Sequence, residues 1–173
     1  RELSEKTEAL QREQDKFSAV LDSLELFIYV ADMETHEILF TNEFGRRAFN
    51  HSLIGSTCWE ILQQDQTEPC HFCTNSKLLD EHGQSTGVYT WEWQNPRNKH
   101  WYYVHDRAIR WTDGRLVRFE AATDVTALKQ AEATVREMMV QFQAVFNSAA
   151  VGMSIVNIRG QFLQCNQKVL SLF

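Results

Sequence analysis

Residues 87–132 read GVYTWEWQNPRNKHWYYVHDRAIRWTDGRLVRFEAATDVTALKQAE. Three runs rich in Val, Tyr, Trp, Phe and Ile stand in this stretch: Val88 to Trp93, His100 to Arg110 and Leu116 to Thr123. Asn95-Pro96-Arg97-Asn98 and Asp113-Gly114 separate them. Runs of this composition bounded by turn residues form strands, and short connections make sequential strands antiparallel. The stretch therefore predicts three consecutive antiparallel strands. Asp124 and Thr126 follow at once, ahead of a helix-favouring run from Ala127 to Glu132. A short oxygen-bearing side chain at such a boundary accepts from the free N–H groups of the first helical turn, which is worth about 1 kcal/mol. These two residues mark where the last strand hands over to a helix.

Upstream, Phe27 to Ala31 and Glu37 to Thr41 are short β-rich runs around a polar turn, and Asn42 to Phe49 reads as helical. The segment between Phe49 and Gly87 reads as helical and irregular. An internal repeat frames the whole. Phe17-Ser-Ala-Val-Leu-Asp-Ser returns as Phe142-Gln-Ala-Val-Phe-Asn-Ser, and Phe40-Thr-Asn42 returns as Gln164-Cys-Asn166. A period of about 125 residues lies far above that of a solenoid repeat and signifies tandem domains. The expected organisation is an amphipathic signalling helix over 1–26, a sensor domain over 27–124, a linker helix over 125–147 and the incomplete start of a second domain over 148–173. That second copy holds two strands and a helix, too little to close a sheet.

Both connecting helices carry apolar stripes. Leu128, Ala131, Val135, Met138, Phe142 and Val145 alternate spacings of three and four, the pattern of a coiled-coil seam. Leu3, Leu10, Phe17 and Leu24 recur every seven residues, with Thr7, Gln14 and Leu21 between them. Such a stripe is also what a helix packed on its own domain presents. Its position between two domains favours a parallel homodimer through one or both helices.

The order helix, two strands, helices, three strands, helix resembles the PAS family. The residues that carry the resemblance are Phe17-x-x-Val20-Leu21-Asp22-Ser23 at the entry, Asn42, Gly55, Asp113-Gly114 and the exit Thr123-Asp124-Val125-Thr126. The exit is similar to the family's Asp-Ile-Thr motif. The resemblance implies an α+β fold with a five-stranded antiparallel sheet, flanking helices and a ligand pocket on the concave face. It further implies that Asp124 and Thr126 relay a signal from the sheet into the following helix. The output domain would lie elsewhere in the same polypeptide, a histidine kinase or a cyclic-dinucleotide enzyme.

Composition agrees with a sensor rather than a nucleic-acid reader. The 173 residues carry a net charge of −6, with basic residues scattered among acids, so no basic footprint exists. No run of about 18 apolar residues occurs, which gives no membrane contact within this stretch. The chain opens inside a charged helical pattern without an initiator Met, which reads as an excerpt and leaves room for an anchor upstream. Four cysteines fall short of a disulfide framework and place the protein in the reducing cytoplasm. No P-loop, His-Glu-x-x-His, kinase or cyclase signature is present, so the stretch is expected to be non-enzymatic.

The pocket depends on a register. A two-residue turn at Asp113-Gly114 sets Arg107 opposite Glu120, whereas a bulged three-residue turn sets Asp106 opposite Glu120 and Ala108 opposite Arg118. The resemblance implies that Tyr102, Val104, Asp106, Arg118, Glu120 and Ala122 face the pocket. Without it, Arg118 and Glu120 read as a half-exposed pair worth under about 1 kcal/mol, and that plainer reading is the one the residues themselves favour. Tyr89, Trp91 and Trp93 share a strand face that could stack on a flat cofactor, though such a ladder is more often core.

Cofactor signals are weak. Gly55-Ser-Thr57-Cys58-Trp59 echoes the flavin-photoreceptor branch of the family, but Thr57 and Trp59 replace its Asn and Arg, and Tyr102 and Ala122 stand where its paired Asn and Gln would be. A lone His82 near the haem-ligand position reads as a solvated surface residue. Neither flavin nor haem is expected. Cys70-His71-Phe72-Cys73 has the spacing that lets two thiolates reach one soft ion, and Cys58 lies close enough in sequence to join them. A zinc or iron–sulfur centre would need a fourth ligand, such as His51, His71 or His82. Otherwise the cysteines act in redox chemistry or as small buried hydrophobes.

Overall fold

A computed structural model describes residues 2–49, 52–63 and 66–171, with side chains from residue 6 onward. The side chain of Leu3, the first seam position, and His51 lie outside the described residues. The chain forms two units, Arg1–Thr126 and Ala127–Phe173.

The first unit runs α1 (Glu2–Asp22), β1 (Phe27–Asp32), β2 (Ile38–Thr41), α2 (Glu43–Phe49), α3 (Cys58–Leu62), a single 3₁₀ turn (Asn75–Lys77), β3 (Tyr89–Gln94), β4 (Trp101–Arg110) and β5 (Leu116–Asp124). The strands form one sheet in the order β2-β1-β5-β4-β3, every neighbouring pair antiparallel. This is the α+β architecture with the five-stranded antiparallel sheet that the sequence leads one to expect. The first helix stops at Asp22 rather than running to 26, and a turn at 23–26 carries the chain into β1.

Burial follows position in the sheet. β1 lies between β2 and β5 and is buried at every residue, which explains its unbroken apolar run. β3, at the edge, alternates half-buried Tyr89, Trp91 and Trp93 with exposed residues. Phe27, Tyr29, Ala31, Val104 and Ala122 from the sheet meet Ile38, Leu53, Cys58 and Leu62 in one core cluster.

Two local devices set this geometry. Asn42 is fully buried and uses its whole amide: Oδ1 accepts from the backbone N–H of Ile28 and Gly45, while Nδ2 donates to the carbonyls of Leu21 and Leu26. One side chain thereby joins the end of α1, the start of β1 and the first turn of α2. Gly45 in α2 sits where a Cβ would run into Phe27 and Thr41, so only glycine lets the helix lie this close to the strand.

The last hairpin takes the bulged form. Trp111 donates to Arg115 O and Gly114 to Trp111 O, with Gly114 at φ +90°. A three-residue turn, Thr112-Asp113-Gly114, results, its glycine in the left-handed region that other residues disfavour. Asp106 therefore pairs with Glu120 and Ala108 with Arg118.

In the second unit, α4 (Thr126–Ser148, its first residue belonging to the first unit) leads to β6 (Ser154–Val156), β7 (Phe162–Cys165) and α5 (Gln167–Leu170), with β6 and β7 antiparallel. Asn166 repeats the bonding of Asn42. It accepts from Met153 and Val169 N–H and donates to the carbonyls of Phe146 and Val151. The internal repeat is thus a repeat of structure. Ile155, Ile158, Phe162, Leu163 and Leu170 are exposed.

Candidate ligand cavity

The sheet of the first unit is one wall of a cavity of about 340 Å³. Phe27 and Tyr29 on β1, Trp91 and Trp93 on β3, Tyr102 and Val104 on β4, and Arg118, Glu120 and Ala122 on β5 form the floor. Phe44 and Phe49 of α2, Cys58, Trp59 and Leu62 of α3, and Cys70, Phe72 and Cys73 of the following segment form the roof. Nine of the lining residues are Phe, Tyr or Trp, and His36, Gln63, Thr74, Asn95, Arg97 and Asn98 add polar groups. Phe72 packs its ring 6.0 Å from Trp91 and 5.7 Å from Trp93, so the ladder on β3 is covered by the roof.

Arg118 is the hub of the polar end. It is 6% exposed, so the half-exposed pair read from the sequence is corrected: the arginine is buried because the three-residue turn aims it at the core side of β5. Its Nη2 donates to Tyr29 Oη at 2.6 Å and to Cys58 Sγ at 3.5 Å. Nη1 donates to Asn75 Oδ1 at 3.1 Å and to Cys73 Sγ at 3.6 Å. Its Nε lies 3.4 Å from Glu120 Oε2, close enough for charge attraction but not aligned as a hydrogen bond. Burial opposes the guanidinium's charge, yet Tyr29, Glu120 and the other acidic groups around it hold it firmly protonated.

Glu120 completes the hub by accepting from Tyr29 Oη at 2.7 Å. Burial above all, and then the charge of Asp106 directly across the sheet, push its carboxyl up to about 8, against the opposing pull of Arg118. The carboxyl is thus held well above the ordinary carboxylate range. Asp106 is fully buried, its Oδ2 taken by Thr74 Oγ1 at 2.6 Å and Trp91 Nε1 at 2.8 Å. Its Oδ1 is buried without a hydrogen-bond partner. Arg118 and Asp106 thus tie the sheet to the segment 73–75 from two sides.

The residues expected at the pocket divide accordingly. Tyr102, Val104, Arg118, Glu120 and Ala122 line the cavity, while Asp106 lies behind its surface and acts through Thr74, Trp91 and Glu120. Tyr29, Thr74 and Asn75 were not anticipated; the i, i+2 spacing of Phe27 and Tyr29 was the available signal for the first. Cys58, Cys70 and Cys73 all line the cavity, with two of the three sulfurs on the guanidinium. Among the described residues no three His, Cys, Asp or Glu side chains are placed to hold a metal ion. A guanidinium donating to two of the sulfurs puts positive charge where a zinc or iron–sulfur centre would need to sit, so these residues do not fit such a centre. His82 is exposed beside Glu81 and away from the cavity lining.

At the exit, Asp124 Oδ1 accepts from Thr126 N–H at 2.8 Å and Oδ2 lies 2.6 Å from His100 Nδ1. Thr126 Oγ1 accepts from Trp101 N–H, and Val125 N–H donates to Trp101 O. Burial raises the Asp124 carboxyl's pKa, but the bonds from Thr126 and His100 outweigh it and hold the group below its ordinary value. The end of β5 is thereby fastened to the start of β4.

Residues 140–173 match the family model for the PAS domain. Among solved structures, the chain is similar to the PAS domain of an HTR-like protein from Haloarcula marismortui, with 16% identity and a TM-score of 0.52 over 70% of this chain and 98% of that one. It is also similar to an RNA-binding light-oxygen-voltage receptor, with 18% identity and a TM-score of 0.52 over 73% of this chain and 37% of that one. No curated protein matches the sequence. The chain thus has the fold of a PAS domain, and its last 34 residues match the PAS-domain family model.

Proposed function

We propose that the chain is a sensory relay module in which a small, flat, largely aromatic molecule occupies the cavity and alters the exit of β5 into α4. The observation that carries this reading is the Arg118 hub. It couples the roof at Cys58, Cys73 and Asn75 to β5, the strand that ends at Asp124. A cavity of 340 Å³ with aromatic walls and a few convergent polar groups suits a small ligand of this kind. The ligand's ring would lie against Trp91, Trp93 and Phe72.

The output half of the reading rests on the helices. Leu128, Ala131, Val135, Met138, Phe142 and Val145 on α4 are exposed, as are Leu10 and Phe17 on α1 and Leu24 in the turn that follows it. A parallel homodimer through these stripes would bury them and carry a change in helix phase or tilt to an output domain of the same polypeptide, of the histidine kinase or cyclic-dinucleotide class. The second PAS domain begun at residues 148–173 would lie on that path. No helix is long and apolar enough to cross a membrane among the described residues; a cytoplasmic setting is part of the proposal.

Titration with anilinonaphthalene sulfonate, an aromatic fluorescent probe, tests the cavity. One probe per chain is expected, with quenching of tryptophan emission, and Ala122→Trp should abolish it by filling the floor. Probe binding that survives Ala122→Trp would place the dye elsewhere and remove the support for a ligand cavity.

A further inference from the structure

We propose that Cys70 and Cys73 form a peroxide-oxidisable dithiol on the cavity wall, whose closure to a disulfide withdraws Cys73 from Arg118 and loosens the tie between roof and sheet. The inference stands apart from whether the cavity also holds a ligand.

Geometry comes first. Cys73 N–H donates to Cys70 O at 2.9 Å, closing a turn with His71 and Phe72 at its centre. Residues at the ends of such a turn have Cα atoms within about 7 Å of each other, the span a disulfide bridges. Both cysteines are half-buried and both line the cavity, so a molecule as small as hydrogen peroxide reaches them through it. Cys58, the first residue of α3, also borders the cavity but is the more deeply buried of the three.

The three sulfurs have different roles. Burial raises the Cys58 thiol, and burial together with the neighbouring sulfurs raises Cys70 to about 11, which keeps both as slow, protonated thiols. Cys73 is the cysteine that combines partial exposure with an N–H from Arg118 on its sulfur. It is therefore the attacking group. Its thiolate attacks one oxygen of hydrogen peroxide, the O–O bond breaks, and the hydroxide that leaves is protonated to water, giving a sulfenic acid on Cys73. The Cys70 sulfur then gives up its proton and attacks the Cys73 sulfur; the S–O bond breaks and a second water leaves. Two thiols lose two protons and two electrons, and peroxide is reduced to two waters.

The consequence is local to the hub. A disulfide turns Cys73 Sγ toward Cys70 and away from Arg118 Nη1. The residues next in sequence, Thr74 and Asn75, hold Asp106 and Arg118, so the same movement strains both ties.

Mass spectrometry of the 173-residue chain after peroxide treatment tests the proposal. The peptide containing Cys70 and Cys73 is expected to lose two hydrogens, with two of the four thiols lost to alkylation. In Cys70→Ser a sulfenic acid should accumulate on Cys73 and be trapped by dimedone, whereas Cys165→Ser, which lies in the second unit, should still form the Cys70–Cys73 disulfide. Circular dichroism on each variant separates loss of reactivity from loss of fold. Four titratable thiols after treatment, or two-hydrogen loss that persists in a folded Cys73→Ser chain, would overturn the assignment.

Discussion

At the scale of single residues, the chain concentrates its polar chemistry in a few buried side chains whose partners are distant in sequence. Glu120 is the most consequential. Its carboxyl is raised to about 8 in the folded chain from an ordinary 4.5. Between those values the unfolded chain binds fewer protons than the folded one, so this group's contribution to stability declines as pH rises from about 4.5 to about 8. Glu120→Gln keeps a donor and removes the titration. The variant's stability relative to the native chain, read from urea midpoints, should therefore rise with pH across that window; a constant difference would mean that Glu120 titrates normally. Asn42 offers a second test, since Asn42→Ala leaves two N–H groups and two carbonyls without their partner. A loss of about 3–5 kcal/mol is expected in denaturant unfolding, whereas a loss near zero would show that other groups or water replace the amide. The importance of Asn42 in the sequence was visible only as a repeated Asn at the head of a helix; its four bonds run to residues brought together by the fold.

At the scale of elements, the strands emerge from sequence almost to the residue, because turn chemistry and β-rich runs are local properties. Asn95-Pro96 and Asp113-Gly114 sit where β3, β4 and β5 are divided. The register of the last hairpin was not legible, since the same Asp-Gly pair serves two turns that differ by one residue. Non-local packing makes that choice, and with it the burial of Arg118 and Glu120. This explains why the site was harder to read than the fold: a charge looks exposed until the strand opposite is known. Gly114→Ala should cost about 1–2 kcal/mol, as expected for a side chain at φ +90°. An unchanged melting midpoint would show that the turn relaxes to another form. The irregular segment from Gln66 to Thr86 carries no periodic pattern, yet it supplies Cys73, Thr74 and Asn75 to the hub.

At the scale of the whole molecule, the helices carry exposed apolar stripes that a homodimer would bury. Sedimentation of the 173-residue chain is expected to show a dimer at high micromolar concentration, shifted toward monomer by the Val135→Lys/Met138→Lys double variant. A native monomer at that concentration would leave the stripes without the proposed partner. The central claim, however, is that the state of the cavity reaches the end of β5, and amide hydrogen exchange reads this most directly. With anilinonaphthalene sulfonate bound, exchange should change both at the cavity strands and at residues 124–130, where Asp124 and Thr126 join strand to helix, and the second change should vanish in Ala122→Trp. Protection confined to the cavity, with the junction exchanging at the same rate in empty and occupied chains, would contradict the relay.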